Sequence, residues 1–195
     1  MRNIVFIALL LSSSVLFSQK KTLFNGENLE GWEIFGSELW YVEDGLLIGK
    51  NGPNAEFGYL ATKEHYQNFE LTLEFKKNEA SNGGVFVRSV LSEGEKPTGW
   101  QVEIARTGHF TGGIHEYERG WLVKPEEDKD KIHKVDEWNQ MKIKVVGGTI
   151  TSWLNGVEMA NLKDEKVAMG KGGIAFQIHS GNSLVAYKNI ELIEL

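Results

Sequence analysis

No cysteine occurs in this chain of 195 residues, and only three prolines do. Without thiols there is no disulfide framework and no cysteine through which a lipid anchor could be attached, so stability has to come from a packed core. Runs of one charge are missing too: 21 lysines and arginines against 27 aspartates and glutamates give a net charge of −6, with no basic cluster. Such a chain argues against nucleic acid and anionic membranes as partners and leaves neutral sugars open. No internal repeat or linker divides the sequence, so one domain is expected.

Long apolar runs are confined to the N-terminus, where Met1, Arg2 and Asn3 precede the stretch from Ile4 to Leu11, extended through three serines to Phe17 and Ser18. A positive start, a short apolar middle and a small closing residue form the pattern of a secretory signal, shorter than the roughly 20 residues of a spanning helix. Cleavage is expected after Ser18. The mature chain, residues 19–195, is then periplasmic or secreted, with no integral span.

What is abundant is glycine, 22 residues, punctuating short segments that alternate apolar and polar. Phe69, Leu71, Leu73 and Phe75 share one face of a strand, with Glu70, Thr72 and Glu74 on the other. Similar alternation recurs over 85–89, 100–104, 141–145, 150–154, 174–179 and 185–192, and Asn155-Gly156 is a strong hairpin signal. Residues 124–136 are read as a surface loop with one short helix. About a dozen short strands without a helical period predict an all-β fold, two antiparallel sheets packed face to face.

The chemistry gathers between Gly99 and Leu122. Along 100–104, Trp100, Val102 and Ile104 take one face, and Gln101 and Glu103 the other. A glycine-led loop then brings His115, Glu116, Arg119 and Trp121. By the same parity His179 and Gln177 share a face near the end of a later strand. Trp100 is expected in the core, and His65, His109 and His133 on the surface.

Several of these residues together carry a resemblance. The opening Leu23, Phe24, Asn25, Gly26 with Leu29, Gly31 and Trp32, then Trp40 with Glu43, Asp44 and Gly45, resembles the 3-keto-disaccharide hydrolase family. Further matches are 69–75, 84–89, 99–104, Gly112 to Ile114 with Arg119 to Leu122, 137–139, 153–156 and 189–195. The resemblance implies a jelly-roll sandwich of the concanavalin A-like lectin/glucanase type, exported and cleaving 3-keto-glycosides. Some members act as lyases or hydratases through the 2-proton. It also implies a companion sugar oxidoreductase that makes the ketone. Many members carry glutamate first and glutamine second where this chain has Gln101 and Glu103, which leaves the catalytic carboxylate open.

Ordinary glycoside hydrolysis needs two carboxyl groups about 5 to 9 Å apart. The run Gln101, Glu103, Ala105 supplies one. A ketone at carbon 3 relaxes the requirement, because it acidifies the proton on carbon 2 and permits elimination at carbon 1. One base, one stabiliser of the enolate and one acid then suffice. Glu103 is the first candidate for base, with His115 or His179 as acid. Arg88 or Arg119 would stabilise the enolate, and Gln101, Gln177 and Asn82 would bind hydroxyls. Trp121 and Trp153 offer flat faces to a sugar ring.

Each residue has a plainer reading. Glu103 could be solvated or paired with Arg88 or Lys144, Arg119 could fix its loop through Glu116, and Trp153 could pack between hairpins. No cofactor is expected. Glu103, Glu116, His115 and His179 have donors suited to a divalent ion, but no metal-binding spacing supports one. The competing function is a carbohydrate-binding module without chemistry.

Overall fold

The computed structural model describes residues 20–54, 56–92, 94–106, 108–166 and 170–195. The expected signal segment 1–18 lies outside the described residues. Among those described, no helix is long and apolar enough to cross a membrane.

Among the described residues, fifteen strands form two antiparallel sheets in a jelly-roll sandwich. One sheet holds β2 (Trp32–Gly36), β5 (Gly58–Thr62), β7 (Gly83–Ser89), β8 (Trp100–Ile104), β9 (Ile114–Glu116), β10 (Gly120–Val123) and β14 (Gly173–Ile178), in the order β10-β9-β8-β7-β14-β5-β2. The other holds β1 (Lys20–Thr22), β3 (Leu39–Glu43), β4 (Leu46–Lys50), β6 (Phe69–Lys77), β11 (Asn139–Val146), β12 (Thr149–Leu154), β13 (Val157–Lys163) and β15 (Leu184–Glu194). Its order is β13-β12-β11-β6-β15-β4-β3, with β1 added along β15.

The inner faces make the core that period-two alternation predicts. Leu71, Leu73 and Phe75 of β6 and Ile143 and Val145 of β11 meet Val85, Val102, Ile104 and Phe176 from the facing sheet, all fully or almost fully buried. A stack of rings ties the layers. Trp32 lies 5.5 Å from Phe176, which lies 4.6 Å from Tyr187 of the opposite sheet, pairs worth about 0.5–1.5 kcal/mol each beyond their buried area. Trp100 is buried as expected.

The loop over 124–136 carries a 3-10 helix at Glu127–Ile132. His133 corrects the sequence reading. Instead of lying on the surface it is buried, stacked on Phe75 at 5.9 Å. Burial lowers its pKa to about 4, and the charge of Lys77 adds to the effect.

Candidate active site

Side chains that leave the core point to the outer faces, and on the seven-stranded sheet they make a continuous row. Gln177 pairs across the ladder with Gly84, and Gly84 with Glu103. His115 pairs with Gln101 on one side and Trp121 on the other. Glycine at 84 makes the arrangement possible. A Cβ there would stand 2.7 Å from Gln101 Cγ and closer still to its amide nitrogen, in the space the Gln101 side chain crosses to reach Gln177. Gln101 Nε2 donates to Gln177 Oε1 at 2.8 Å. The two amides therefore share one face: parity sets the side within each strand, and the pairing of β14, β7 and β8 brings those sides together.

Around this bridge lies a hollow of about 230 Å³ lined by Gln101, Glu103, His115, Trp121, Gln177 and His179, with Asn82, Phe57 and Tyr117 completing the wall. Seven of the residues singled out in the sequence converge here. Phe57 and Tyr117 were missed, because neither lies in a strand whose alternation would have pointed it at the site. Two weak signals were available: Tyr117 follows His115 and Glu116, and Phe57 immediately precedes β5.

Four of the singled-out residues are elsewhere. Arg88 sits at positive φ near the end of β7. Its guanidinium turns to the backbone carbonyls of Gln67, at 2.7 Å from Nε, and Gly147, at 2.9 Å from Nη1. Arg119 is held by Glu116 and by Asp164 at 2.5 Å, and Lys166 meets Glu116 at 2.8 Å. This network fixes the β9–β10 turn and takes both Glu116 and Arg119 out of the hollow. Trp153 lies on the eight-stranded sheet under Lys142 Nζ, 4.3 Å from the ring centroid. Among the described residues no lysine or arginine lines the hollow.

Electrostatics follow from that absence. Glu103 is 8% exposed, and among the described residues no lysine or arginine forms a salt bridge with its carboxyl. Burial alone raises its pKa from 4.5 to about 8, so at neutral pH it is mostly protonated. Burial also lowers the pKa of His115, opposed by the charge of Glu116, which favours a neutral ring. That ring meets Trp121 edge-on at 5.4 Å, and its Nδ1 is buried without a hydrogen-bond partner. Asn82 Oδ1 is likewise buried and unpartnered. His179 packs edge-on to Phe57 at 4.4 Å, with Nδ1 3.1 Å from Ser180 Oγ. His115 and Asn82 both line the hollow, and buried polar atoms without partners are uncommon. Of the four side chains with divalent-ion donors, Glu116 is turned away. Among the described residues no three histidine, aspartate or glutamate side chains gather as a ligand set.

Residues 19–193 match the family model of the 3-keto-alpha-glucoside-1,2-lyase-like domain. The chain belongs to that family. A curated relative, a 3-keto-disaccharide hydrolase from Bacteroides thetaiotaomicron, is 30% identical over 74 residues, which is 33% of this chain and 26% of the relative. The alignment thus spans about a quarter of that protein. Among solved structures, a "Putative glycosyl hydrolase" from Parabacteroides distasonis superposes with a TM-score of 0.71 at 27% identity, covering 91% of this chain and 100% of that one. A carbohydrate-binding module from Bacillus subtilis superposes with a TM-score of 0.64 at 10% identity, covering 83% and 94%, and shows the shared sandwich alone.

Proposed function

We propose that this protein cleaves the glycosidic bond of 3-keto-glucosides by elimination across carbons 1 and 2. The observation that carries the reading is the buried Glu103 carboxyl in a hollow that no lysine or arginine lines among the described residues. In its ionised form Glu103 takes the proton from carbon 2. The electron pair of that C–H bond passes into the enolate of the 3-ketone and then forms the C1=C2 double bond as the C1–O bond breaks. His179, whose Nδ1 is turned to Ser180, delivers a proton from its other nitrogen to the departing oxygen. Addition of water across C1=C2 gives the 3-keto sugar, so that the sum of both steps is hydrolysis.

The enolate is met by neutral donors here, since the arginines first considered for it are bound elsewhere. Asn82 and the neutral His115 supply the hydrogen bonds, and Gln101 and Gln177 hold hydroxyls. A carboxyl that titrates near neutrality is a far stronger base than one at 4.5, and burial of the neutral form is how the fold supplies it. An oxidoreductase working upstream supplies the ketone. Export is part of this reading and rests on the sequence of residues 1–18.

Incubation with a 3-keto-glucoside in deuterated water tests the reaction. Deuterium at carbon 2 of the recovered 3-keto sugar is expected, together with kcat/KM that rises with pH up to about 8 as Glu103 ionises. Cleavage without deuterium at carbon 2 would refute elimination. A profile that falls through the same range would make Glu103 the acid and His115 the base. Binding without turnover would leave a carbohydrate-binding module.

A further inference from the structure

The hollow opens sideways. Phe57 and Tyr117 line both it and a larger cleft of about 820 Å³, whose other walls include Phe35 and Tyr59. The two spaces are joined by the ladder itself, because Gln177 pairs with Tyr59 and Tyr59 with Phe35. From Gln177 to Phe35 is two strand spacings, about 10 Å, which leaves room for a second ring beyond a bound pyranose. The floor of this cleft is anchored: Phe35 and Phe57 pack against Tyr59, Ala61, Phe86 and Ala175, and Tyr59 meets Phe86 edge-on at 5.9 Å.

A third space of about 470 Å³ also opens past Tyr117. Its walls carry Arg88, Lys96, Glu116, Glu118, Lys166 and Lys171. The two exits from the hollow therefore differ in chemistry, one aromatic and one charged, with Lys96 at 4.4 Å over the Tyr117 ring between them.

We propose that the aromatic cleft receives the leaving group and selects 3-keto-glucosides with an aryl aglycone over those with a small alkyl group. This inference rests on the reaction proposed above. A planar aglycone stacks on Phe35, Phe57 and Tyr59 without needing hydrogen bonds. Serines and charged side chains sit at 37, 56, 92, 95, 96 and 180 in the cleft wall and would accept polar ring substituents.

Turnover of phenyl and methyl 3-keto-glucosides is compared in the wild type, Phe35→Ala and Lys171→Ala. The phenyl compound is expected to have a KM about tenfold lower than the methyl one, and Phe35→Ala to raise the phenyl KM about fivefold without moving the methyl KM. Lys171→Ala is expected to change neither. Phe35 is half-buried on an edge strand. Should its alanine variant fail to fold, Phe35→Leu keeps the bulk and is expected to lose most of the same discrimination. Equal effects on phenyl and methyl compounds, or discrimination lost in Lys171→Ala instead, would overturn the inference. If no 3-keto-glucoside is cleaved at all, the reaction fails while the cleft is still tested by calorimetry with phenyl and methyl glucoside. Tighter phenyl binding that vanishes in Phe35→Ala sustains it, and equal or absent binding overturns it.

Discussion

The outer faces of the two sheets obey the same alternation and end in different states. On the eight-stranded sheet, burial alternates along β6 and β11, and the outward residues, mostly lysines and glutamates, are partly or fully exposed. On the seven-stranded sheet, every residue of β5, β7, β8 and β14 is buried, outward ones included. The outward charge shows the consequence. Glu74 on the solvated face meets Lys188 at 3.4 Å and has an ordinary surface partner, whereas Glu103 has none and its pKa climbs to about 8. A carboxylate facing outward is thus a solvated group or a poised base depending on whether loops close over that face.

The comparison breaks most completely at Glu103. Glu103→Gln preserves shape and removes the base, and steady-state assay should show kcat reduced about 10²- to 10⁴-fold, against no measurable change for Glu70→Gln on the other sheet. Gly84→Ala comes next. The added methyl displaces Gln101 from Gln177, and chemical denaturation should show a loss of about 1–3 kcal/mol together with weakened substrate binding.

A third test concerns stability against pH. The folded pKa of Glu103 is raised, so the folded state holds a proton that the unfolded chain has released, and stability falls as pH rises from about 4.5 to about 8. Glu103→Gln carries no such titration. Thermal melts should show the variant gaining on the wild type across that window, and parallel curves would mean that the carboxyl is not desolvated. The smallest effect is expected on the solvated face: Trp153→Ala removes a cation–π contact with Lys142 worth about 0.5–1 kcal/mol, and turnover should not change.

Glu103 and Trp153 also show how far the sequence could be read. Parity placed Glu103 beside Gln101 and Trp153 opposite Ile150 and Leu154, and both placements hold. Parity could not say that one outward face is covered and the other is not, because cover comes from loops distant in sequence. Arg88 is the sharper case. Alternation with Val85 and Val87 put it on the site face, but positive φ near the strand end swings its guanidinium to the carbonyls of Gln67 and Gly147.

The local pattern of the chain was enough for the all-β class and for the inward and outward sides of the segments that alternate, because side-chain direction follows local backbone geometry. Only the tertiary structure decided which polar residues meet. Glu116 and Arg119 neutralise each other with Lys166 and Asp164, whereas Glu103 is left alone in a hollow walled by Phe57 and Tyr117. Burial and charge pairing depend on segments that the chain brings together from far apart, so no local pattern records them.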